Sequence, residues 1–257
     1  PHLIRAWGLA AAYKNTGLGD GAHDYSHAEL ELFDNGRFEV RSSAAEMGQG
    51  LVTVMQMIVS EEMSVTPENV DVLVMDTDLT PDGGPTTASR QTYVTGNAAR
   101  HAAITLREAI KGFVAENYDL SPEKIVFNNG KILLPDETLT FGEIAQAMKA
   151  AGKNPKTLYR YEAPLTQPLG TGGDMHFAYS FAAQAAEVQV NTDTGEVQVL
   201  RFIAANDVGT VINPLGLKGQ IEGGVIMGIG HCLTEEFVVE EGKIKTDRMS
   251  RYKIPGI

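Results

Sequence analysis

Cysteine is almost absent from this 257-residue sequence, and Cys232 is its only example. One thiol excludes an internal disulfide, a cysteine-based zinc site and an iron–sulfur cluster held by this chain alone. Cys232 lies in an apolar helical run, which predicts a buried, unreactive thiol. The histidines show no metal-ligand spacing, and His101 and His231 are interpreted as helix-packing or surface residues. We therefore expect no direct metal ligand in this chain, and a reduced, cytoplasmic setting.

Positive charge is also scarce, with 21 Lys and Arg against 33 Asp and Glu and a net charge of −12. This balance argues against nucleic acid and anionic membranes as partners. No apolar run reaches the length of a transmembrane helix, and no signal peptide is visible. The composition, 43% hydrophobic and 21% charged, is that of a globular protein.

The order of predicted elements is typical of an α+β fold with mixed or antiparallel sheets and packed helices. Residues 1–27 are rich in glycine and are predicted to be irregular. Hydrophobic periodicity and turn residues predict strands over 28–33, 37–41, 70–75 (buried), 177–191 and 196–206, helices over 51–63, 92–118 and 141–150, a further helix from Asn213, and a hairpin joining 237–240 to 243–245. Residues 1–257 are interpreted as one domain, with a peripheral strand–strand–helix excursion near 121–152.

The most informative motif is Met47-Gly48-Gln49-Gly50, between a predicted strand and a predicted helix. Glycine permits a tight turn, and the amides at a helix N-terminus attract negative charge. Gln49 adds a donor and an acceptor without adding charge. Two interpretations stay open on these residues alone, an anion-binding corner and an ordinary glycine-rich loop.

A second motif, Pro85-Thr86-Thr87-Ala88-Ser89, brings three hydroxyls to the start of the long predicted helix. Helix capping and a rigid turn explain part of this pattern. The alternative is a donor-rich, uncharged site for a phosphate or a polar heterocycle.

A third motif, Gly219-Gln220-Ile221-Glu222-Gly223-Gly224, places an amide side chain on a glycine-rich helical turn. Each helical glycine costs about 1 kcal/mol relative to alanine. Gly223, Gly224, Gly228 and Gly230 are therefore expected to pack closely against a backbone or a ligand. Glu222 is interpreted as a solvated carboxylate. Three uncharged turns without a nucleophile–base pair favour binding of a large polar cofactor over chemistry by side chains.

In their order along the chain, these motifs resemble the molybdenum-cofactor domain of the xanthine dehydrogenase and aldehyde oxidase family. The resemblance spans nearly the whole sequence and rests on Ala45–Gly50, Asp76-Thr77, Pro85–Ser89, Asp207-Val208-Gly209, Asn213-Pro214, Gly219–Gly223 and Tyr252–Pro255. It implies the second half of a molybdopterin-binding domain in an oxidoreductase. That enzyme would hydroxylate an N-heterocycle or an aldehyde with oxygen taken from water.

The resemblance also assigns roles to residues of the three motifs. Gln49 would hydrogen-bond an oxygen ligand of the molybdenum, and its neighbours on the turn would hold the pterin. Ala88 would present its backbone to the ligands of the metal. Thr86, Thr87 and Ser89 would bind the pyranopterin and its phosphate. The neighbours that hold the pterin are Met47, Gly48 and Gly50, and Gln220 would contact the pterin from the opposite side. The cofactor would be the bare pterin or its cytosine dinucleotide.

Two departures from the family pattern limit what this chain does alone. The family's catalytic glutamate lies in a Gly-x-Gly-Glu segment expected downstream of Ile257, so no catalytic residue is assigned here. The sequence also opens at Pro1 and lacks the family's earlier cofactor-domain half. We expect a fragment that is inactive and cofactor-free alone, with iron–sulfur clusters and FAD on other domains or subunits.

A substrate position follows only from extending the alignment backward from Gly48-Gln49-Gly50 without gaps. Leu18 and Gly19 then fall where xanthine-type enzymes place an aromatic ring and a threonine. This departure argues against a purine held between aromatic rings. Purines, pyridines and aldehydes all remain open as small-molecule substrates. The alternative function is a non-catalytic subunit that carries the cofactor or has a structural role.

Overall fold

The structure, a computed structural model, describes residues 2–256 and divides into two compact units. The first unit is Asn15–Tyr179, and the second joins the segment up to Lys14 with the segment from Ser180 onward. The strands are β1 (Leu3–Thr16), β2 (Tyr25–Leu32), β3 (Phe38–Ser42), β4 (Val70–Val74), β5 (Val126–Asn128), β6 (Lys131–Leu133), β7 (Thr138–Thr140), β8 (Lys156–Glu162), β9 (Ala178–Asn191), β10 (Val197–Asp207), β11 (Val239–Glu240) and β12 (Lys243–Ile244). The helices are α1 (Leu51–Met63), α2 (Gly96–Tyr118), α3 (Phe141–Ala150), α4 (Pro214–Leu233) and α5 (Met249–Tyr252). These elements confirm the α+β fold class.

The first unit is built on a mixed sheet with the strand order β4-β3-β2-β8. The hairpin β2–β3 turns at Gly36, where a φ of 81° suits glycine. The neighbouring pair β3 and β4 is parallel, with Ser42 opposite Val74 at the carboxyl ends of both strands. This parallel pairing is the feature that positions the candidate site.

Helices α1 and α2 cover one face of this sheet and close its core. Met55 and Val59 of α1, and Leu106 and Ile110 of α2, are fully buried among the sheet residues. The bounds of α1 agree with the predicted helix. Helix α2 begins later than predicted, because residues 91–95 form a π-helical turn that leads into it.

The predicted excursion forms a small sheet, β5-β6-β7, followed by α3. Its third strand, β7, was not predicted. The Phe141 ring meets the Phe38 ring edge-on with 5.0 Å between their centroids, so α3 closes one end of the same core. Thr140 and Glu143 form a capping box at the start of α3.

The prediction of a buried strand at 70–75 is only partly right. Val70 is fully buried, but the rest of β4 is half-buried or exposed because this strand is at an edge of the sheet. Val72 and Val74 pack against the core without being enclosed by it.

In the second unit, the sheet has the strand order β1-β9-β10. The prediction that residues 1–27 are irregular is wrong, since β1 is a strand of 14 residues. Its alanines and Gly8 have little intrinsic preference for a strand, and long-range pairing with β9 supplies the structure. Strands β9 and β10 and the hairpin β11–β12 form where they were predicted.

Helix α4 begins where predicted, and the Asn213 side chain caps it by accepting from the Gly216 amide at 2.9 Å. Among its described residues only Gly230 is buried. The predicted close packing is found at Gly230, where a Cβ would lie 2.5 Å from Pro255. It is absent from Gly223, Gly224 and Gly228 within the described residues. Cys232 is exposed, so the prediction of a buried thiol is also wrong. None of the helices in residues 2–256 has the length and apolar character needed to cross a membrane.

Candidate cofactor-binding site

Two loops of the first unit meet because they leave neighbouring parallel strands at the same edge of the sheet. Residues 43–50 connect β3 to α1, and residues 75–90 lead from β4 towards α2. The Gly83 amide donates to the Ser43 hydroxyl at 2.7 Å, and the Ser43 amide donates to the Pro81 carbonyl at 3.2 Å. The loops that carry the first two motifs are therefore brought together, at the kind of sheet edge where ligands often bind.

Thr86 forms the closest link between these loops. Its hydroxyl oxygen accepts from the Ala45 amide at 2.8 Å and from the Gln91 side-chain amide at 2.8 Å. A hydroxyl has two acceptor lone pairs and one hydrogen, so the Thr86 hydrogen stays available as a donor.

The corner predicted at Gly48-Gln49-Gly50 holds an anion that belongs to the chain itself. One oxygen of the Glu46 carboxylate accepts from the amides of Gly48 at 2.8 Å and Gly50 at 3.1 Å. The other oxygen accepts from the Val52 amide at 3.0 Å. Burial raises the pKa of Glu46, but the amides of Val52, Gly50 and Gly48 outweigh that effect and hold the pKa below its usual value. The helix N-terminus is thus satisfied internally and is not an open anion site.

Gln49 braces the same turn. Its side-chain oxygen accepts from the Met47 amide at 2.5 Å, and its Nε2 donates to the Ala45 carbonyl at 2.8 Å. The second Nε2 hydrogen has no acceptor among the described residues. At Gly48 and Gly50, φ is 95° and 84° and an added Cβ would meet nothing within 4 Å, so a ligand has room to approach this backbone.

The Pro85–Ser89 loop is strained and rich in unused donors. Ala88 and Ser89 have φ of 51° and 52°, a left-handed conformation that is costly outside glycine and is often found at functional sites. Within residues 2–256, the amides of Thr87, Ala88 and Ser89 donate no hydrogen bond, and the hydroxyls of Thr87 and Ser89 make none. Consecutive free amides and hydroxyls fit a ligand with many acceptor atoms, such as a pterin with a phosphate.

Sequence reasoning missed the pair that holds this loop, Arg90 and Asp24. The Arg90 side chain is fully buried and its Nε donates to Asp24 at 2.7 Å. The visible signal was a single arginine placed directly before a helix, in a segment otherwise rich in hydroxyls and apolar residues.

Leu18 and Gly19 lie in the same unit as both loops. The Gly17 amide donates to the Ala88 carbonyl at 3.0 Å, which ties this segment to the strained loop. At Gly19 a Cβ would overlap Nδ1 of His176, so that position has no space for a threonine. His176 is a second residue that sequence reasoning did not identify.

Gln220 belongs to the second unit, where it is exposed on α4. Glu222 is also exposed and pairs with Lys218 at 3.7 Å, one turn away on the same helix. This pairing agrees with its interpretation as a solvated carboxylate.

Comparison with known proteins identifies relatives across the whole chain. The family model of the molybdopterin cofactor-binding domain matches residues 2–257. The gamma subunit of the 6-hydroxypseudooxynicotine dehydrogenase complex of Paenarthrobacter nicotinovorans is 32% identical, over 96% of this chain and 31% of its own length. The xanthine dehydrogenase molybdenum-binding subunit of Escherichia coli O157:H7 is 30% identical, over 99% of this chain and 34% of its own length.

The fold agrees with these sequence relationships. The crystal structure of the aldehyde oxidoreductase from Desulfovibrio desulfuricans matches with a TM-score of 0.79 and 29% identity, over 99% of this chain and 25% of that one. The chain spans about a third of the length of these two curated relatives. The family resemblance inferred from the motifs is confirmed: the chain belongs to the molybdopterin cofactor-binding domain family of molybdenum-containing oxidoreductases.

Proposed function

We propose that this chain is the part of a molybdenum-binding subunit that cradles the cofactor of a hydroxylase for N-heterocycles or aldehydes. The observation that carries the proposal is the strained Pro85–Ser89 loop, in which several amides and hydroxyls make no hydrogen bond. The Thr86 hydroxyl accepts from the Ala45 amide and so joins this loop to residues 43–50, which include Gln49. When bound, the molybdenum cofactor supplies the redox chemistry of a hydroxylation whose oxygen atom comes from water.

In this proposal the Met47–Gly50 turn and the strained Pro85–Ser89 loop contact different parts of the cofactor. Gln49 gives its remaining Nε2 hydrogen to an oxygen ligand of the metal, while Met47, Gly48 and Gly50 leave the backbone accessible to the pterin. The Ala88 backbone approaches the metal's ligands. Donors to the pyranopterin and its phosphate, in bare or cytosine-dinucleotide form, come from Thr86, Thr87, Ser89 and, in the second unit, Gln220.

The residues of these two loops bind and orient, and we propose that the proton acceptor lies elsewhere in the complete subunit. Glu46 is committed to three amides at the start of α1, and Glu222 is exposed beside Lys218. Neither carboxylate is placed to act as a base for a cofactor held by the two loops. No group of three or more His, Cys, Asp or Glu in residues 2–256 is arranged to bind a metal ion. We propose that the metal is ligated by the cofactor and by no side chain of this chain.

The surface of α4 supports a partner for the second unit. This helix of 20 residues is mostly apolar apart from Lys218, Gln220, Glu222 and His231, yet Met227 and Leu215 are 72% and 82% exposed. An apolar helix of this kind is normally enclosed in a protein core. We propose that the remaining half of the molybdenum domain covers it, and that iron–sulfur and flavin domains or subunits complete a cytoplasmic enzyme.

Activity of the complete complex tests this function. The complex, purified from a host that makes the cofactor, is assayed with a dye acceptor on a purine, a pyridine and an aldehyde. We expect turnover of one class with one oxygen from labelled water in the product. A complex that contains molybdenum but oxidises none of the three would contradict the proposed function and favour a non-catalytic carrier.

A further inference from the structure

Arg90 is the largest fully buried side chain of the described residues, and it carries a charge. Its guanidinium donates to Asp24 at 2.7 Å, to the Gly83 carbonyl at 3.0 Å and to the Pro85 carbonyl at 2.7 Å. It also donates to the Tyr25 carbonyl. One side chain therefore bonds the first residue of β2, Tyr25, and residues on both sides of Gly84, in the turn that leads into the strained loop.

Asp24 connects Arg90 to the candidate substrate segment, Leu18-Gly19, by hydrogen bonds. Its Oδ1 accepts from Arg90, and its Oδ2 accepts from the Leu18 amide at 2.8 Å. The carboxylate side chain is only 3% exposed. Next to it, the Gly17 amide donates to the Ala88 carbonyl at 3.0 Å. Two parallel connections thus join residues 17–18 to the loop of residues 83–89, one direct and one through the ion pair.

This arrangement is more than the fold requires. Desolvating two charges is costly, and well-packed apolar residues are often as stabilising as a buried ion pair. Helix α2 does not depend on Arg90 for its cap, and Thr86 already ties the loop to Ala45 and Gln91. The planar guanidinium holds its N–H donors in fixed directions, so it positions several acceptors relative to one another. A lysine or an apolar residue cannot do this.

We propose that Arg90 and Asp24 are a positioning pair that sets the spacing between the substrate segment, Leu18-Gly19, and the cofactor loop, Thr86–Ser89. The inference rests on the proposed function for the cofactor loop and on the backward-extended alignment for the substrate segment. The pair touches neither the cofactor nor the substrate. It acts through the Leu18 amide and through the carbonyls of Gly83 and Pro85.

The variants Arg90→Lys and Asp24→Asn test the pair in the complete subunit within its complex. Lysine keeps the positive charge but lacks the planar set of guanidinium donors. Asparagine has only one acceptor oxygen, so it cannot accept from Arg90 and from the Leu18 amide with separate oxygens as Asp24 does. Arg41→Lys is the matched control, because Arg41 also contacts carboxylates (Glu29, Glu31 and Glu39) but none of the loop residues.

Hydrogen exchange gives a readout that does not depend on bound cofactor. We expect exchange at the hydrogen-bonded amides of Leu18, Gly83 and Arg90 to accelerate together by at least about tenfold in both pair variants and to stay unchanged in Arg41→Lys. Unchanged exchange in the pair variants, or an equal acceleration in Arg41→Lys, would overturn the proposal.

Activity per bound molybdenum separates positioning from simple structural support. We expect Arg90→Lys to keep its molybdenum, because the Thr86 link persists, while kcat falls about 100-fold, as a misplacement near 1 Å can produce. KM changes less than kcat. Loss of folded protein and molybdenum with unchanged activity per molybdenum would identify a merely structural pair. If the wild-type complex lacks molybdenum, the proposed cofactor function fails, while the exchange measurement still decides whether the pair couples the two segments.

Discussion

At the scale of single residues, Gly19 is held by two independent constraints. Its φ is 69°, which disfavours every residue with a Cβ, and the His176 ring occupies the space that the Cβ would need. Nδ1 of His176, the atom nearest to that Cβ position, is buried and has no hydrogen-bond partner in the described residues. A threonine at this position is incompatible with this backbone.

Replacing Gly19 with alanine tests that contact. We expect Gly19→Ala to lower the free energy of unfolding by about 1–2 kcal/mol for the left-handed backbone and by a further 1–3 kcal/mol or so for overpacking against His176. Gly152→Ala is the control, since Gly152 has a φ of 71° with open space around it. Urea denaturation measures both, and equal losses for the two variants would show that His176 does not confine Gly19.

Residue identity singled out two loops that the structure brings together, but it did not predict the hydrogen bonds that their side chains make. Gln49, Thr86 and Ser89 all lie on the two loops that meet at one sheet edge. Glu46 was not expected to fill the amide corner, because a carboxylate beside a glycine turn has no local signal that says which amides it will accept from. Arg90 escaped notice for a similar reason, since its partner Asp24 is 66 residues away in the sequence.

At the scale of elements, α1 depends on Glu46 for its N-terminal cap. Gly50 is the residue before the helix and has no side chain to offer, so the carboxylate reaches in from four residues upstream. The loop that carries Gln49 and the first turn of α1 are therefore stabilised by the same charge.

Substitution of Glu46 by glutamine should expose this dependence as a function of pH. The folded-state pKa lies below the unfolded value of 4.5, so the charge contributes stability that is present above that value and is lost as pH falls through the folded pKa. We expect Glu46→Gln to cost about 1 kcal/mol at neutral pH, as loss of a helix cap does. Glu61→Gln, an exposed change on the same helix, is the control.

Chemical denaturation across the acid range provides the measurement. The difference in unfolding free energy between wild type and Glu46→Gln should be constant near neutral pH and should shrink below pH 4.5. A difference that grows on acidification would contradict the hydrogen bonding described for Glu46.

Elements with strong local periodicity were predicted well, and elements that depend on distant partners were not. The apolar spacing of α1 and the Asp34-Asn35-Gly36 turn are local signals, and both elements form as predicted. Strand β1 has a weak local signal and forms through pairing with β9. The parallel pairing of β3 with β4 cannot be read from either strand, because it depends on how α1 crosses between them.

At the scale of the whole molecule, the second unit has a large exposed apolar surface on α4. A helix with so little burial in the described residues should open easily when the chain is studied alone. We expect amide exchange in α4 to slow by at least about tenfold in the complete subunit relative to this chain, while the buried face of α2 is equally protected in both. Similar exchange of α4 in the two samples would contradict the proposed covering of this helix.

The most direct test of the central claim is the molybdenum content of the complete complex. The account predicts stoichiometric molybdenum in the wild type by metal analysis. It also predicts a large loss in Thr86→Val, which removes the hydroxyl that joins the two loops and that we propose donates to the ligand. Thr105→Val, which removes an exposed hydroxyl of α2 that bonds only the His101 carbonyl among the described residues, should keep its molybdenum. A folded Thr86→Val complex with the full wild-type molybdenum content would contradict the account.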